Sequence, residues 1–277
     1  MAATPPDTSR DRRIEDVTNL YVIHPAARAL VPVAIRAGVS ANAVSCIGLV
    51  IGAGAAWCFF HWESAALVTL GFALAILWLI ADGLDGMVAR ATGTASPLGR
   101  VMDGICDHGV FVLIYVAMAV SIGTIDGWAL AVAAGVAHAV QSSLYEAERA
   151  RFHRRIKGDS GEARPVRTRN PLEQLYDFVA GSLDRAAGRF DQALRARPAL
   201  APFYGRKATA AMKAMALLSA NMRVLAIWLA CLLGDPRLFW WWEIGPLTII
   251  AAMTIMWHRR VETVTAGLHL PEKQLRP

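Results

Sequence analysis

Apolar and polar positions alternate along this chain in long blocks. Six stretches hold about 20 mostly apolar residues each, the length that carries a helix across a hydrocarbon core. They run from about Ala41 to Phe60, Ser64 to Arg90, Leu98 to Ser121, Gly127 to Ala147, Ala208 to Leu233 and Leu238 to Trp257. Turn residues separate them: Glu63, the Ser96-Pro97 step, Gly123 with Asp126-Gly127, and Gly234-Asp235-Pro236. No internal repeat is visible, so residues 1–277 read as a single membrane-embedded domain.

Two further segments are amphipathic rather than apolar. Ile14 to Ala37 mixes apolar residues with Arg28 and Arg36 and predicts a helix along the inner membrane surface. A polar, basic insertion covers about 148–207, between spans four and five. Within it Leu172, Leu175, Val179, Leu183, Ala186, Phe190 and Leu194 recur at three- and four-residue spacing, opposite Arg185, Arg189 and Arg195. That stripe predicts one more helix, suited to an anionic leaflet. The fold class is therefore an all-α integral membrane protein: six transmembrane helices, an N-terminal amphipathic surface helix and a cytoplasmic insertion.

Composition agrees. Of 277 residues 55% are hydrophobic and 18% charged, against about 25% charged in soluble domains. The net charge of +6 comes from 28 Lys and Arg against 22 Asp and Glu. With the N-terminus inside, all but two of the 28 basic residues lie in or beside inner segments; the exceptions are Arg223 and Arg237. This places both termini in the cytoplasm and the chain in the inner (cytoplasmic) membrane. The basic loop then faces anionic lipid, and no nucleic-acid partner is expected. Trp62, Trp128 and Trp240 to Trp242 form an outer aromatic belt. The first twenty residues hold no apolar core of a signal peptide. Cys46, Cys58, Cys106 and Cys231 sit in apolar runs without metal spacing and read as buried free thiols.

The candidate chemistry lies between Leu79 and Phe111. Asp82 and Asp85 are three residues apart near the end of span two, and Asp103 and Asp107 four apart near the start of span three. Each pair shares a helical face. A short turn around Pro97 makes the two helices antiparallel neighbours, so the simplest geometry has all four carboxylates converge. One ionised Asp in a bilayer core costs about 2.5–3.5 kcal/mol on the gentler scale. Four are tolerable only with cations. Arg90 supplies one charge, and an all-oxygen donor set suits Mg²⁺, Mn²⁺ or Ca²⁺ for the rest. Gly83, Gly86, Gly99 and Gly104 flank the acids and either admit a bulky ligand or let helices pack closely.

The series Asp82-x-x-Asp85-Gly86-x-x-Ala89-Arg90, eight residues, then Gly99-x-x-x-Asp103-x-x-x-Asp107 resembles the signature of the CDP-alcohol phosphotransferase family, with every position filled. The resemblance implies a membrane enzyme of phospholipid synthesis. It would transfer a phosphatidyl group from a CDP-linked donor, in the first place CDP-diacylglycerol, to an alcohol acceptor and release CMP. It further implies that Asp82, Asp85, Asp103 and Asp107 hold metal, two Mg²⁺ or Mn²⁺ ions, with Asp107 also the general base. Gly86, Ala89 and Gly99 would leave room for cytidine, and Arg90 would pair with phosphate. Asn42 resembles a family Asn near the nucleotide; its flanks here are Ala41 and Ser45, where Pro and Thr are common. Family members often form homodimers, so a second copy is a candidate partner beside membrane lipids.

Other polar residues leave alternatives open. Arg223, deep in span five, binds an anionic group of donor or acceptor or pairs with one of the aspartates. Asn221 predicts an interhelical hydrogen bond. His108 faces the acceptor or a neighbouring helix. His138, Gln141 and Tyr145 form a polar stripe on span four that lines a pocket or bonds to another helix. Arg149, Arg151, Arg154 and Arg155 extend it as an anchor or an anion lure. The Ser96-Pro97-Leu98-Gly99 run is similar to that of choline/ethanolamine phosphotransferases, which keeps open the transfer of a CDP-linked head group to diacylglycerol or ceramide. Intramembrane prenyltransferases have more widely separated acidic motifs. A cation transporter would leave the Gly, Ala and Arg positions unexplained.

Overall fold

A computed structural model describes residues 11–158 and 188–268. Among these the chain is helical and contains no strand. A π-turn at Asn19–Ile23 leads into α1 (His24–Arg36). Then follow α2 (Ala41–Phe60), α3 (Ala65–Ala91), α4 (Pro97–Ile122) and α5 (Ile125–Lys157). Residues 188–196 form the described part of α6. After it come α7 (Leu200–Met215), α8 (Ala220–Leu232), α9 (Arg237–Trp242) and α10 (Thr248–Ala266).

Local chemistry sets the boundaries. Ser40, Ser64, Ser96 and Ser219 each cap a helix by accepting a hydrogen bond from the backbone three residues on. Proline explains both π-turns. Pro25 and Pro246 carry no N–H, and the wider turns at Asn19–Ile23 and Glu243–Leu247 absorb the missing helical bonds.

Among the described residues, four helical stretches are long and apolar enough to cross a membrane: Ala41–Phe60, Ala65–Ala91, Gly104–Ile122 and Arg237–Ala266. A fifth results if α7 and α8, broken around Ser219, act as one crossing. This is fewer than the six expected. The predicted fourth span lies inside α5, where His138, Gln141, Ser142 and Ser143 dilute the apolar run.

The chain divides into two compact units. One comprises residues 16–137 and 219–246. Here α2 packs on both α3 and α4. A Cβ on Gly52 would lie 2.3 Å from a Val110 methyl, and one on Gly71 would lie 2.9 Å from Cys58 Cβ, so small residues bring the backbones together. The core contains Phe59, Trp78, Ile114, Met118, Ile227 and Phe239. α1 lays Ala27, Val31 and Ala34 against Ala81, Leu84 and Val88 of α3. Trp240 is fully buried in this core, not part of the expected outer belt; Trp241 and Trp242 are exposed. Cys46 is likewise exposed rather than buried.

The other unit comprises residues 1–15, 138–218 and 247–277. Ile14, Phe152, Tyr204, Met212, Met215 and Ile255 form its core. Of the stripe predicted from Leu172 to Leu194, positions 172–186 lie outside the described residues. Phe190 and Leu194 follow the predicted face, with Arg189 and Arg195 exposed. Their face packs on protein: the Phe190 ring lies 5.0 Å from that of Tyr204.

Candidate active site

The motif helices are joined by a short reversal. At the end of α3, Thr94 N–H donates to the Ala89 carbonyl at 2.9 Å and Gly93 N–H to that of Arg90. Gly93 takes φ 68°, the left-handed turn this closure requires. Two residues on, Ser96 accepts from Gly99 N–H at 3.0 Å, with Pro97 opening α4. The reversal therefore sets Ala89-Arg90 and Gly99 close along the chain at the ends of the two motif helices.

On α3, Asp82 is half-buried, and Asp85 is buried at 4% exposure. Gly86 and Ala89 are half-buried and Arg90 is exposed. The Arg90 guanidinium folds back along its helix: a Cβ on Gly86 would sit 3.3 Å from Arg90 Nη1. On α4, Gly99 and Asp107 are half-buried. Asp103 belongs to the same helix, and its side chain lies outside the described residues. Gly83 turns to α1, where a Cβ would touch Ala27, Ile23 and His24 at 3.6–3.9 Å, so it is a packing position.

α2 reaches both halves of the motif. Asn42, exposed near its start, holds its Oδ1 3.6 Å from where a Cβ on Gly99 would lie. One turn on, Ser45 donates from Oγ to Asp85 Oδ2 at 2.5 Å, and both residues are buried. Sequence reading had singled out Ser45 only as a departure beside Asn42. The pair is 40 residues apart in the chain, and no local pattern connects them.

Other candidates fall elsewhere. Arg223 is paired with Glu243, Nε to Oε1 at 3.0 Å. Asn221 makes the expected bond between segments, donating to Thr18 Oγ1 at 2.5 Å and Asn19 Oδ1 at 2.8 Å. Asp16, beside them, accepts from Ser219 Oγ at 3.0 Å. His108 is exposed, and its Nδ1 lies 2.8 Å from the Gly104 carbonyl of its own helix. Gln141 donates to Thr248 Oγ1 at 3.0 Å, as an interhelical bond.

A second carboxylate cluster lies in the other unit. Ligand atoms of Glu148, His258 and Glu262 fall within 4.8 Å of one another. Guanidinium groups occupy these carboxylates. Arg151 Nη1 donates to Glu148 at 2.6 Å, Arg155 Nη1 to Glu262 at 2.5 Å, and Arg259 reaches both. Both ring nitrogens of His258 are engaged, Nδ1 with Glu148 and Nε2 with the Tyr204 hydroxyl, each at 2.7 Å. Three guanidiniums beside the acids oppose a divalent cation, so the arrangement reads as a buried ion-pair network. Burial pushes the Glu148 carboxyl up, but the His258 hydrogen bond and the charges of Arg259 and Arg151 prevail and hold it at about 2. Arg149 pairs separately with Glu15 at 2.9 Å. Three of the four arginines at the end of α5 are thus tied into the protein. Glu148 and Glu262 escaped sequence reading because their partners come from two helices far apart in the chain, α5 and α10; the His258-to-Glu262 spacing of four was the local sign.

Residues 38–168 match the sequence model of the CDP-alcohol phosphatidyltransferase family. No curated protein matches the chain. The matched stretch contains the whole Asp82-to-Asp107 series, α2 with Asn42 and Ser45, and the reversal that joins the two halves. This match, over a little under half of the chain, supports the assignment of residues 38–168 to the CDP-alcohol phosphatidyltransferase family, transferases of substituted phosphate groups in phospholipid biosynthesis.

Proposed function

We propose that the chain transfers the phosphatidyl group of CDP-diacylglycerol to a polar alcohol at the cytoplasmic face of the inner membrane. The observation that carries this reading is Asp85, a carboxylate at 4% exposure on an apolar helix, one turn from Asp82 and inside the family motif. Burial of an acid at such a position is costly unless it is held for a purpose.

The donor set fits a hard divalent cation. Asp82, Asp85, Asp103 and Asp107 offer carboxylate oxygen only, unlike the cluster around Glu148, which includes the His258 imidazole. Bound there, two Mg²⁺ or Mn²⁺ ions would neutralise charge on the donor pyrophosphate. Arg90 pairs with a phosphate oxygen. Gly86, Ala89, Gly99 and Asn42 bound the cytidine. Asp107 accepts the proton of the acceptor hydroxyl. The oxygen of the acceptor alcohol bonds to the lipid-bearing phosphorus, the bond from that phosphorus to the bridging oxygen breaks, and CMP leaves with the electron pair. Phosphoryl transfer of this kind depends mostly on positioning and charge neutralisation.

The Ser96-to-Gly99 run, which had suggested head-group donors, is accounted for by helix capping. That capping role is compatible with either donor class. Incubating the purified chain in liposomes with CDP-diacylglycerol, CDP-choline or CDP-ethanolamine tests the donor. A lipid product formed only from CDP-diacylglycerol and a polar alcohol supports the proposal. A product formed from CDP-choline or CDP-ethanolamine with diacylglycerol or ceramide overturns it in favour of head-group transfer.

A further inference from the structure

We infer that Ser45 is a positioning residue for Asp85: its hydroxyl fixes the carboxylate in the orientation that receives a divalent cation. This deepens the proposed transferase reading and rests on it.

The geometry is asymmetric. Ser45 Oγ has one proton and two acceptors in reach, Asp85 Oδ2 at 2.5 Å and the Ala41 carbonyl at 3.2 Å. A serine inside a helix ordinarily satisfies itself on the carbonyl four residues back, which here is Ala41. Ser45 therefore has a local partner without Asp85. Of the two acceptors, the Asp85 oxygen is the nearer. The side chains are 7% and 4% exposed, so bulk water does not supply this bond instead.

The placement favours control over mere satisfaction. Ser45 sits on α2, and α2 is held against both motif helices by Gly48 and Gly52. A Cβ on Gly48 would lie 3.3 Å from Ala81 Cβ, and one on Gly52 2.3 Å from Val110 Cγ2. The hydroxyl is thus mounted on a packed helix and fixes one carboxylate oxygen against it. Hydrogen bonds of this type orient metal-ligating groups, and losing one typically costs 10–100-fold in affinity. Asn42, three residues earlier on α2, meets the other motif helix at Gly99, so one stretch of α2 touches both halves.

The test is Mn²⁺ binding to the intact purified chain in detergent micelles, read by electron paramagnetic resonance without substrate. Four proteins are compared: wild type, Ser45→Ala, Ser45→Thr and Asp85→Ala. The expected result is about ten-fold or greater weakening in Ser45→Ala. Ser45→Thr, which keeps the hydroxyl, should stay within about two-fold of wild type. Wild-type affinity in Ser45→Ala, with weakened binding in Asp85→Ala, would overturn the positioning role and leave the metal reading intact. Unchanged binding in Asp85→Ala would overturn the metal reading itself, and the inference with it. Should Ser45→Ala fail to fold, Ser45→Cys carries the comparison, since a thiol is only a weak donor.

Discussion

Arg223 and Glu243 form an ion pair in which the two side chains are 1% and 0% exposed. The guanidinium Nε donates to both carboxylate oxygens, at 3.0 and 3.3 Å, and Tyr115 adds a hydrogen bond to the same acid. Arg223 stands on α8 and Glu243 opens the π-turn after α9, so the pair ties the two ends of this segment together. Removing one charge strands the other where water cannot reach it. Arg223→Leu alone should lower stability by about 3–5 kcal/mol, whereas Arg223→Leu with Glu243→Leu should recover most of that loss. Unfolding midpoints of the two single variants and the double variant in one detergent check this; equal losses from single and double changes would contradict it.

The Glu148 network predicts a response to acid. Its carboxyl is held at about 2 in the folded protein, below the ordinary value of 4.5. A lowered value in the folded state means that its stabilising contribution is complete above about 4.5 and is lost as the pH falls from there toward 2. Melting temperature measured between pH 3 and pH 7 should therefore fall over the acid part of that range. Glu148→Gln should start lower, because Arg151 and Arg259 lose a carboxylate, and should show a shallower acid slope.

Gly52 predicts a steric limit. A Cβ there would meet both Val110 methyls and the Val110 Cβ itself at 3.0 Å, and that last atom cannot rotate away. Gly52→Val should destabilise the protein by about 1–3 kcal/mol or more through overpacking. Gly54→Ala, two residues on in the same helix, meets only Leu74 Cδ1 at 3.4 Å and should be tolerated. Comparing thermal midpoints of the two variants decides the matter.

Legibility in the sequence followed the range of each interaction. Asp82 and Asp85, or Asp103 and Asp107, are turns of one helix, so spacing alone displays them. The reversal from Ala89 to Gly99 is equally local, written in Gly93, Ser96 and Pro97. Ser45 and Asp85 belong to different helices, and an apolar stretch with one serine says nothing about which acid it meets. Glu243 lies in a Trp-rich run that reads as a membrane rim, which concealed both its pairing with Arg223 and the burial of Trp240. The expected fourth crossing is not among the helices apolar enough to cross a membrane, because α5 carries His138, Gln141 and two serines in its middle. These serve contacts inside the protein, such as Gln141 with Thr248, rather than lipid.

The central claim is that the aspartate motif performs metal-dependent transfer with release of CMP. The most direct measurement is CMP formed by the purified chain in liposomes with CDP-diacylglycerol and a panel of polar alcohols. It is made with Mg²⁺ or with chelator, and with Asp107→Ala alongside. The account predicts CMP release that needs both an added alcohol and Mg²⁺, and that falls by about 10²–10⁴-fold or more in Asp107→Ala. CMP release that persists in Asp107→Ala or under chelation, or that proceeds without any alcohol, would contradict it.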